Sequence, residues 1–223
     1  MADVDITLKN YRCFDDSRPA GVRLGKGMSA FIGPNNSGKS ALLKMFFELR
    51  NVWSHFRERV EYLSSGRGDA AELGMIGLDD PSEIFCDGNT RGIEVELALG
   101  QAYPTPESVP YLEKLKFSCQ RAPQANAWRC EPFFNRSEED VLADGSVMES
   151  ILKDLQNALY VGPFRNSTTE GAGYYYDISV GSACVDAYRA WKIGASKAHT
   201  RVMEAVTEDL RDLFGFRKLE INA

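Results

Sequence analysis

The sequence predicts an α/β fold organised around a phosphate-binding loop, and three observations predict it. Gly33-Pro34-Asn35-Asn36-Ser37-Gly38-Lys39-Ser40 has a glycine, four free positions and then Gly-Lys-Ser, the spacing of a P-loop. Met28-Ser29-Ala30-Phe31-Ile32 before it is a short, largely apolar run that reads as a buried strand. Ala41–Leu49 after it reads as a helix with Leu42, Leu43, Phe46 and Leu49 on one face. Further along, residues 93–99, 115–120 and 128–131 alternate apolar with polar residues, which argues for an antiparallel sheet with one solvated face.

The backbone N–H groups of such a loop can all point inward onto phosphate oxygens, with the positive end of the following helix behind them. Gly33 and Gly38 permit backbone angles and a close approach that a Cβ would block. The pattern assigns Lys39 to the β- and γ-phosphates as a point charge, and the Ser40 hydroxyl to a Mg²⁺ ion bridging the same phosphates. The candidate nucleotide-binding residues are therefore Gly33, Asn35, Asn36, Ser37, Gly38, Lys39, Ser40 and Ala41, with ATP and Mg²⁺ as the expected cofactors.

The 223 residues, 43% hydrophobic, can bury a sizeable core. A net charge of −6 and a pI near 5.1 argue against a surface that is basic throughout, so any nucleic-acid contact must come from a local patch or from another part of the molecule. Cys13, Cys86, Cys119, Cys130 and Cys184 are scattered and odd in number, without a Cys-x-x-Cys pair. That pattern argues against a disulfide framework or a zinc site and fits a reducing cytosol. Asp3 and Asp5 stand where a signal peptide would carry basic residues, and no apolar run approaches the length of a membrane span. The expectation is a cytoplasmic protein with no membrane partner.

Taken in order, Val4, Ile6 and Leu8 predict an opening strand over 3–9, and a second short strand lies near Val22-Arg23-Leu24. Gly25-Lys26-Gly27 then turns the chain into the loop strand. Helical patterning continues from the first helix through Val52, Trp53, His55, Phe56, Val60 and Leu63 and stops at Ser64-Ser65-Gly66. A helix this long is expected to project beyond the sheet. Its aromatic stripe suggests base stacking, but at helical spacing it reads first as core packing.

Residues 64–92 read as loop with a weak helical piece near Ala70–Leu73. Met75-Ile76-Gly77-Leu78-Asp79-Asp80 superficially resembles the apolar strand and acidic pair of a Walker B motif, but Gly77 breaks the strand and Pro81 follows the acids, so a surface loop is expected. Pro104, Pro106 and Pro110 mark a long connection between the first two alternating strands. Ser146-x-x-Glu149 is a capping-box signal for a helix bearing Val147, Met148, Ile151, Leu152 and Leu155, running to about Asn157.

Ala158–Arg165 then reads as a buried strand breaking into a loop. Residues 183–214 are helical in pattern and divisible at Gly194. Their Lys192, Lys197, His199 and Arg201 form a modest basic face, read first as solvated and second as a contact for DNA or a partner.

The order of the first fifty residues carries a resemblance. A strand ending in Leu-Lys-Asn-Tyr-Arg-Cys-Phe, a short connection and then Phe-Ile-Gly-Pro-Asn-Asn-Ser-Gly-Lys-Ser resembles the N-terminal lobe of the ABC-type ATPases of the SMC, RecF and OLD group. Tyr11 stands where that group usually has Phe, and Cys13 where it often has a small polar residue. The resemblance implies a P-loop NTPase, an ABC-ATPase-type head lobe with an antiparallel β-subdomain and flanking helices. Residues 1–63 would hold the strand, P-loop and first helix, 64–145 a loop and inserted antiparallel sheet, and 146–223 the helix, strand, loop and helical region.

The resemblance also implies that Arg12 lies near the nucleotide. Tyr160-Val161-Gly162-Pro163-Phe164-Arg165 resembles a run of OLD-like and defence-associated members, and Arg165 reads equally as a phosphate sensor, a contact across a dimer or a loop anchor. There is no Ser-Gly-Gly signature, no later switch histidine and no convincing Walker B acid in the sequence, so catalytic residues stay unassigned. The implied function is ATP binding, with hydrolysis once a C-terminal lobe and a homodimer partner complete the site. In relatives that activity is coupled to DNA repair, maintenance or phage defence, often with an associated nuclease. Two other classes stay open: a small P-loop nucleotide kinase or GTPase, although no Asn-Lys-x-Asp occurs, and a non-hydrolysing module that uses ATP as an assembly switch.

Overall fold

Val4, Ile6 and Leu8 are buried while Asp5, Thr7 and Lys9 are half-exposed, the period-two pattern of a strand with one covered face. That strand, β1 (Val4–Lys9), lies inside a six-stranded sheet with β2 (Ala20–Leu24), β3 (Asp69–Glu72), β4 (Ile93–Leu99), β5 (Leu112–Cys119) and β6 (Ala127–Phe134). The order across the sheet is β2-β1-β4-β5-β6-β3, and every strand pairing is antiparallel. The computed structural model describes residues 3–78, 80–100, 110–121, 126–136, 143–161, 173–175, 177–180, 182–193 and 196–215. They fall into two units, Met1–Leu159 and Tyr160–Ala223.

In the first unit the inner face of the sheet carries Ile6, Leu8, Val95, Leu97, Leu115, Phe117, Trp128 and Cys130, all buried. The helices α1 (Lys39–Glu48), α2 (Arg50–Glu58), α3 (Val60–Leu63) and α4 (Ser146–Gln156) supply the other side of the same core. Trp53 and Phe56 of α2 meet Phe117 with ring centroids 5.3 and 5.5 Å away, the edge-on and tilted contacts that aromatic quadrupoles favour. The outer face is charged. Lys114 reaches Glu96 at 3.3 Å and Lys116 reaches Glu94 at 3.1 Å, each diagonally across the β4–β5 pair.

Six expectations are corrected here. Met28–Ile32 is not a strand. Beyond β2, which is the sheet's edge, residues 25–34 have no strand partner among the described residues, and an apolar run without a neighbour cannot form a ladder. Met28 and Ile32 are each 96% exposed. On α1 the residues of the core are Leu42, Met45 and, at its C-cap, Leu49, with Phe46 packed against it as expected, whereas Leu43 faces out. The following helical stretch does not project beyond the sheet. It bends at Leu49 and Arg59 and lays Trp53 and Phe56 on the sheet instead.

Within the segment Ala70–Leu73, residues up to Glu72 belong to strand β3 and not to a helix, because the edge of β6 offers them ladder bonds. The antiparallel sheet is not a separate insertion. β4 pairs directly with β1, so the strand preceding the glycine-rich loop and the strands following it make one layer. Finally, Ala158–Val161 is not a strand, and Leu159 and Val161 are exposed. Arg165 lies outside the described residues.

The capping of α4 also differs in detail. Its N-cap is Gly145, without a side-chain cap, and Asp144 Oδ1 accepts the Ser146 N–H at 2.9 Å. The carboxylate one residue earlier does the work expected of the Ser146 hydroxyl, because Ser146 is already inside the helix. Met75–Leu78 is a loop, as expected, with Met75 and Leu78 packed against the core, and Asp80 accepts the Ser82 N–H to start a 3₁₀ turn over Pro81–Ile84. Asp79 is outside the described residues.

The second unit contains a short hairpin, β7 (Gly173–Tyr175) with β8 (Ile178–Val180), then α5 (Ser182–Ile193) and α6 (Lys197–Phe214). α5 ends at Ile193 and α6 starts at Lys197, and Trp191 of α5 stacks on His199 of α6 at 4.9 Å; Gly194, where the sequence divides the two, lies outside the described residues. No helix of the described residues is long and apolar enough to cross a membrane.

Candidate functional site

Two short segments build the cleft: the turn that ends β1 and the loop that starts α1. Asn10 (φ 57) and Arg12 (φ 50) both sit in the left-handed region, a costly conformation for residues with a Cβ. The turn is over-determined by its bonds. Tyr11 and Phe14 exchange backbone hydrogen bonds at 3.1 and 2.9 Å, Arg12 N–H donates to the Ile84 carbonyl at 2.7 Å, and Asn10 O accepts from Cys86 N–H at 3.1 Å. The buried Asn10 amide donates to Asp16 and to the Gly92 carbonyl and accepts from Asn89.

This turn presses on the glycine-rich loop before α1. Gly38 is the N-cap of α1 with φ 86, and a Cβ there would lie 2.6 Å from Phe14 and 2.9 Å from Cys13 Sγ. Glycine is thus required at 38 twice over, by its dihedral angle and by its neighbours. At Gly33 the constraint is milder, a Cβ meeting Ser37 Oγ at 3.2 Å.

Between the segments lies a cleft of about 670 Å³ lined by Arg12, Cys13, Asn35, Asn36, Ser37, Gly38, Lys39, Ser40 and Ala41. That volume is within the range of small-molecule sites. Eight of the nine are candidates from the sequence; Cys13 is the addition, and Gly33 contributes its carbonyl rather than a wall. The Lys39 ammonium is gripped by the loop itself, donating to Gly33 O at 2.8 Å, Pro34 O at 2.6 Å and Ser37 Oγ at 3.1 Å. The first turn of α1 has neither a side-chain cap nor an acidic residue. Its amide donors and the helix dipole therefore face the cleft without a competing anion.

The lining holds two cations, Arg12 and Lys39, and no carboxylate. Such a site favours a polyanion. No cluster of three or more metal-ligating side chains occurs among the described residues, but a Mg²⁺ ion taken up with a polyphosphate needs few protein ligands, the remaining positions being filled by phosphate oxygens and water. The exposed Ser40 hydroxyl at the start of α1 fits that role.

Sequence reasoning missed the support behind Arg12. Glu48, the last residue of α1, is 2% exposed, and its carboxylate accepts from Arg12 Nη2 at 2.6 Å and from the Tyr11 hydroxyl. Arg12 Nε also donates to the Tyr11 oxygen at 3.4 Å. Burial, reinforced by the Glu48 charge and hydrogen bond, pushes the Tyr11 phenol well above its ordinary value. For Arg12, burial works against the charge, but Tyr11 and Glu48 outweigh it and raise the guanidinium further. The available signal was an acid inside Met45-Phe46-Phe47-Glu48-Leu49, on a helix otherwise committed to the core.

The thiols of Cys86, Cys119 and Cys130 are free and buried, and Cys13 is free and exposed in the cleft wall. Burial pushes Cys119 up to about 11 and Cys130 higher still. The chain matches no protein-family model, and no curated protein matches it significantly.

Proposed function

We propose that the cleft binds the polyphosphate of ATP together with Mg²⁺, and that the chain is the phosphate-loop part of an ABC-type ATPase head of the SMC, RecF and OLD kind. The observation that carries this reading is the Lys39 ammonium held by three loop acceptors at the N-terminus of α1, in a cleft with two cations and no acid. The loop keeps the ammonium charge at the cleft, and a phosphate oxygen reaches it by replacing loop acceptors on its three engaged N–H donors. Lys39 neutralises charge on the outer phosphates, the first-turn amides of α1 donate to phosphate oxygens, and Ser40 supplies a metal ligand. When bound, Mg²⁺ adds charge neutralisation between phosphates.

Hydrolysis requires a group that orients or activates water, and the cleft offers no carboxylate among its described residues. On this reading a second surface, a C-terminal lobe or a second copy, brings that group. The nearly complete exposure of Met28 and Ile32 beside the loop agrees with such a completion. Coupling of the ATPase to DNA processing, with an associated nuclease, belongs to the same proposal and rests on the resemblance of residues 1–50. The same lack of a carboxylate favours one alternative, a module in which ATP is bound as an assembly switch and not hydrolysed.

Isothermal titration with Mg-ATP, Mg-GTP and nucleoside monophosphates tests the reading. Mg-ATP should bind, Lys39→Ala should weaken it by roughly a hundredfold or more, and monophosphates should bind far more weakly. Absence of triphosphate binding, or binding indifferent to Lys39, would refute it. Tight monophosphate binding would favour a nucleotide kinase instead. Oligomeric mass with and without ATP then separates the ATPase from the switch, since a nucleotide-dependent dimer that releases no phosphate is the switch.

A further inference from the structure

We infer that Glu48 is the positioning residue of the cleft: its buried carboxylate, tied to Tyr11, fixes the Arg12 guanidinium in the wall so that Arg12 meets the bound polyanion already oriented. The inference rests on the proposed nucleotide site and adds to it a residue that does not line the cleft. Its basis is the division of labour on the Arg12 guanidinium. Nη2 is committed to Glu48 at 2.6 Å and Nε to Tyr11 at 3.4 Å. Nη1 has no protein partner among the described residues, and the Arg12 side chain keeps 21% exposure on the cleft side.

A long arginine side chain normally loses much rotamer entropy when it is recruited to a ligand. Here that cost is already met on folding. The backbone at Arg12 is held in the left-handed region by the Tyr11–Phe14 and Ile84 hydrogen bonds, and the head group is held by Glu48 and Tyr11.

The placement of Glu48 also matters. It lies at the C-terminal end of the helix whose N-terminal residues are Lys39 and Ser40. One rigid ten-residue helix therefore sets both the lysine and, through the carboxylate, the arginine. A buried carboxylate is costly unless it is paired, and both of its oxygens are used here, so the helix end, the turn and the cation are locked as one unit. Arg50, two residues on, donates instead to the Ala158 carbonyl.

The test is a double-mutant cycle read by Mg-ATP affinity. Glu48→Gln keeps the shape and removes the charge, and Arg12→Ala removes the cation. Glu48→Gln should weaken Mg-ATP binding roughly tenfold, as expected for losing one charge-assisted orientation. The double variant should bind no more weakly than Arg12→Ala alone, because Glu48 acts only through Arg12. Additive losses, or a Glu48→Gln protein that binds like the wild type, would overturn the inference while leaving the proposed function standing. If Glu48→Gln fails to fold, Tyr11→Phe replaces it. That variant keeps the buried ring and the ion pair, and should lower affinity about threefold in the wild type and not at all beside Arg12→Ala. A wild-type protein without Lys39-dependent binding fails the proposed function itself, which separates the two outcomes.

Discussion

Single residues in this protein are constrained by what lies against them more than by their own propensities. Gly38 illustrates the point, since the turn ending β1 supplies the atoms that exclude a side chain there. Gly38→Ala should cost about 1 kcal/mol for the left-handed backbone and a further 1–3 kcal/mol, roughly, for displacing Phe14 and Cys13. On the proposed reading nucleotide affinity should fall at least tenfold, roughly, because relieving the clash displaces the loop backbone that lines the cleft. Chemical denaturation and titration with Mg-ATP measure the two effects separately.

Asp69 gives a pH-dependent case. Burial raises its pKa, but the Arg59 hydrogen bond at 2.9 Å and the Ala70 N–H outweigh it and hold the carboxyl below its ordinary value. A carboxylate depressed on folding stabilises above its unfolded pKa, and that contribution is lost as pH falls through the folded value. Asp69→Asn should therefore destabilise by about 1 kcal/mol near pH 7, with the difference closing below about pH 4. Urea unfolding at the two pH values reads this directly.

At the scale of elements, the two faces of the sheet should respond very differently to mutation. Phe117 is fully buried beneath Trp53 and Phe56, so Phe117→Ala should cost about 3–5 kcal/mol. Lys116→Glu on the opposite face replaces one diagonal attraction to Glu94 by repulsion and should cost less than about 1 kcal/mol. Unfolding midpoints in guanidinium distinguish them, and equal effects would contradict the layer assignment.

The same contrast explains what was legible in the sequence. β1, β4 and the apolar positions of α4 were readable because period-two and helical patterns record burial directly. β3 was not, since Asp69-Ala70-Ala71-Glu72 has no strand propensity and is recruited by the free edge of β6. Met28–Ile32 failed in the opposite sense. Its composition suits a strand, but pairing is a property of the neighbour, which composition does not encode. The glycines, lysine and serine of the loop before α1 announced the cleft, whereas Glu48 was hidden inside a helix face. Its role becomes visible only when Tyr11 and Arg12 are folded back onto it.

For the molecule as a whole, the cleft, the six-stranded sheet and the four helices against it all belong to residues up to Leu159. Among the described residues, all those lining the cleft belong to the first unit. A core that includes Trp53, Trp128, Phe56 and Phe117 together with the inward faces of five of the six strands is large enough to sustain folding without further layers. A fragment ending at Leu159 should therefore unfold cooperatively, with a radius of gyration of about 15 Å in solution scattering. If the cleft is self-contained, the fragment should keep the Mg-ATP affinity of the full chain within about threefold, a difference below 1 kcal/mol, roughly, and the loss on Lys39→Ala should be unchanged. A fragment that folds yet binds markedly more weakly would place part of the nucleotide site in residues 160–223. In that case the binding contribution of the second unit should be mapped next, beginning with Arg165.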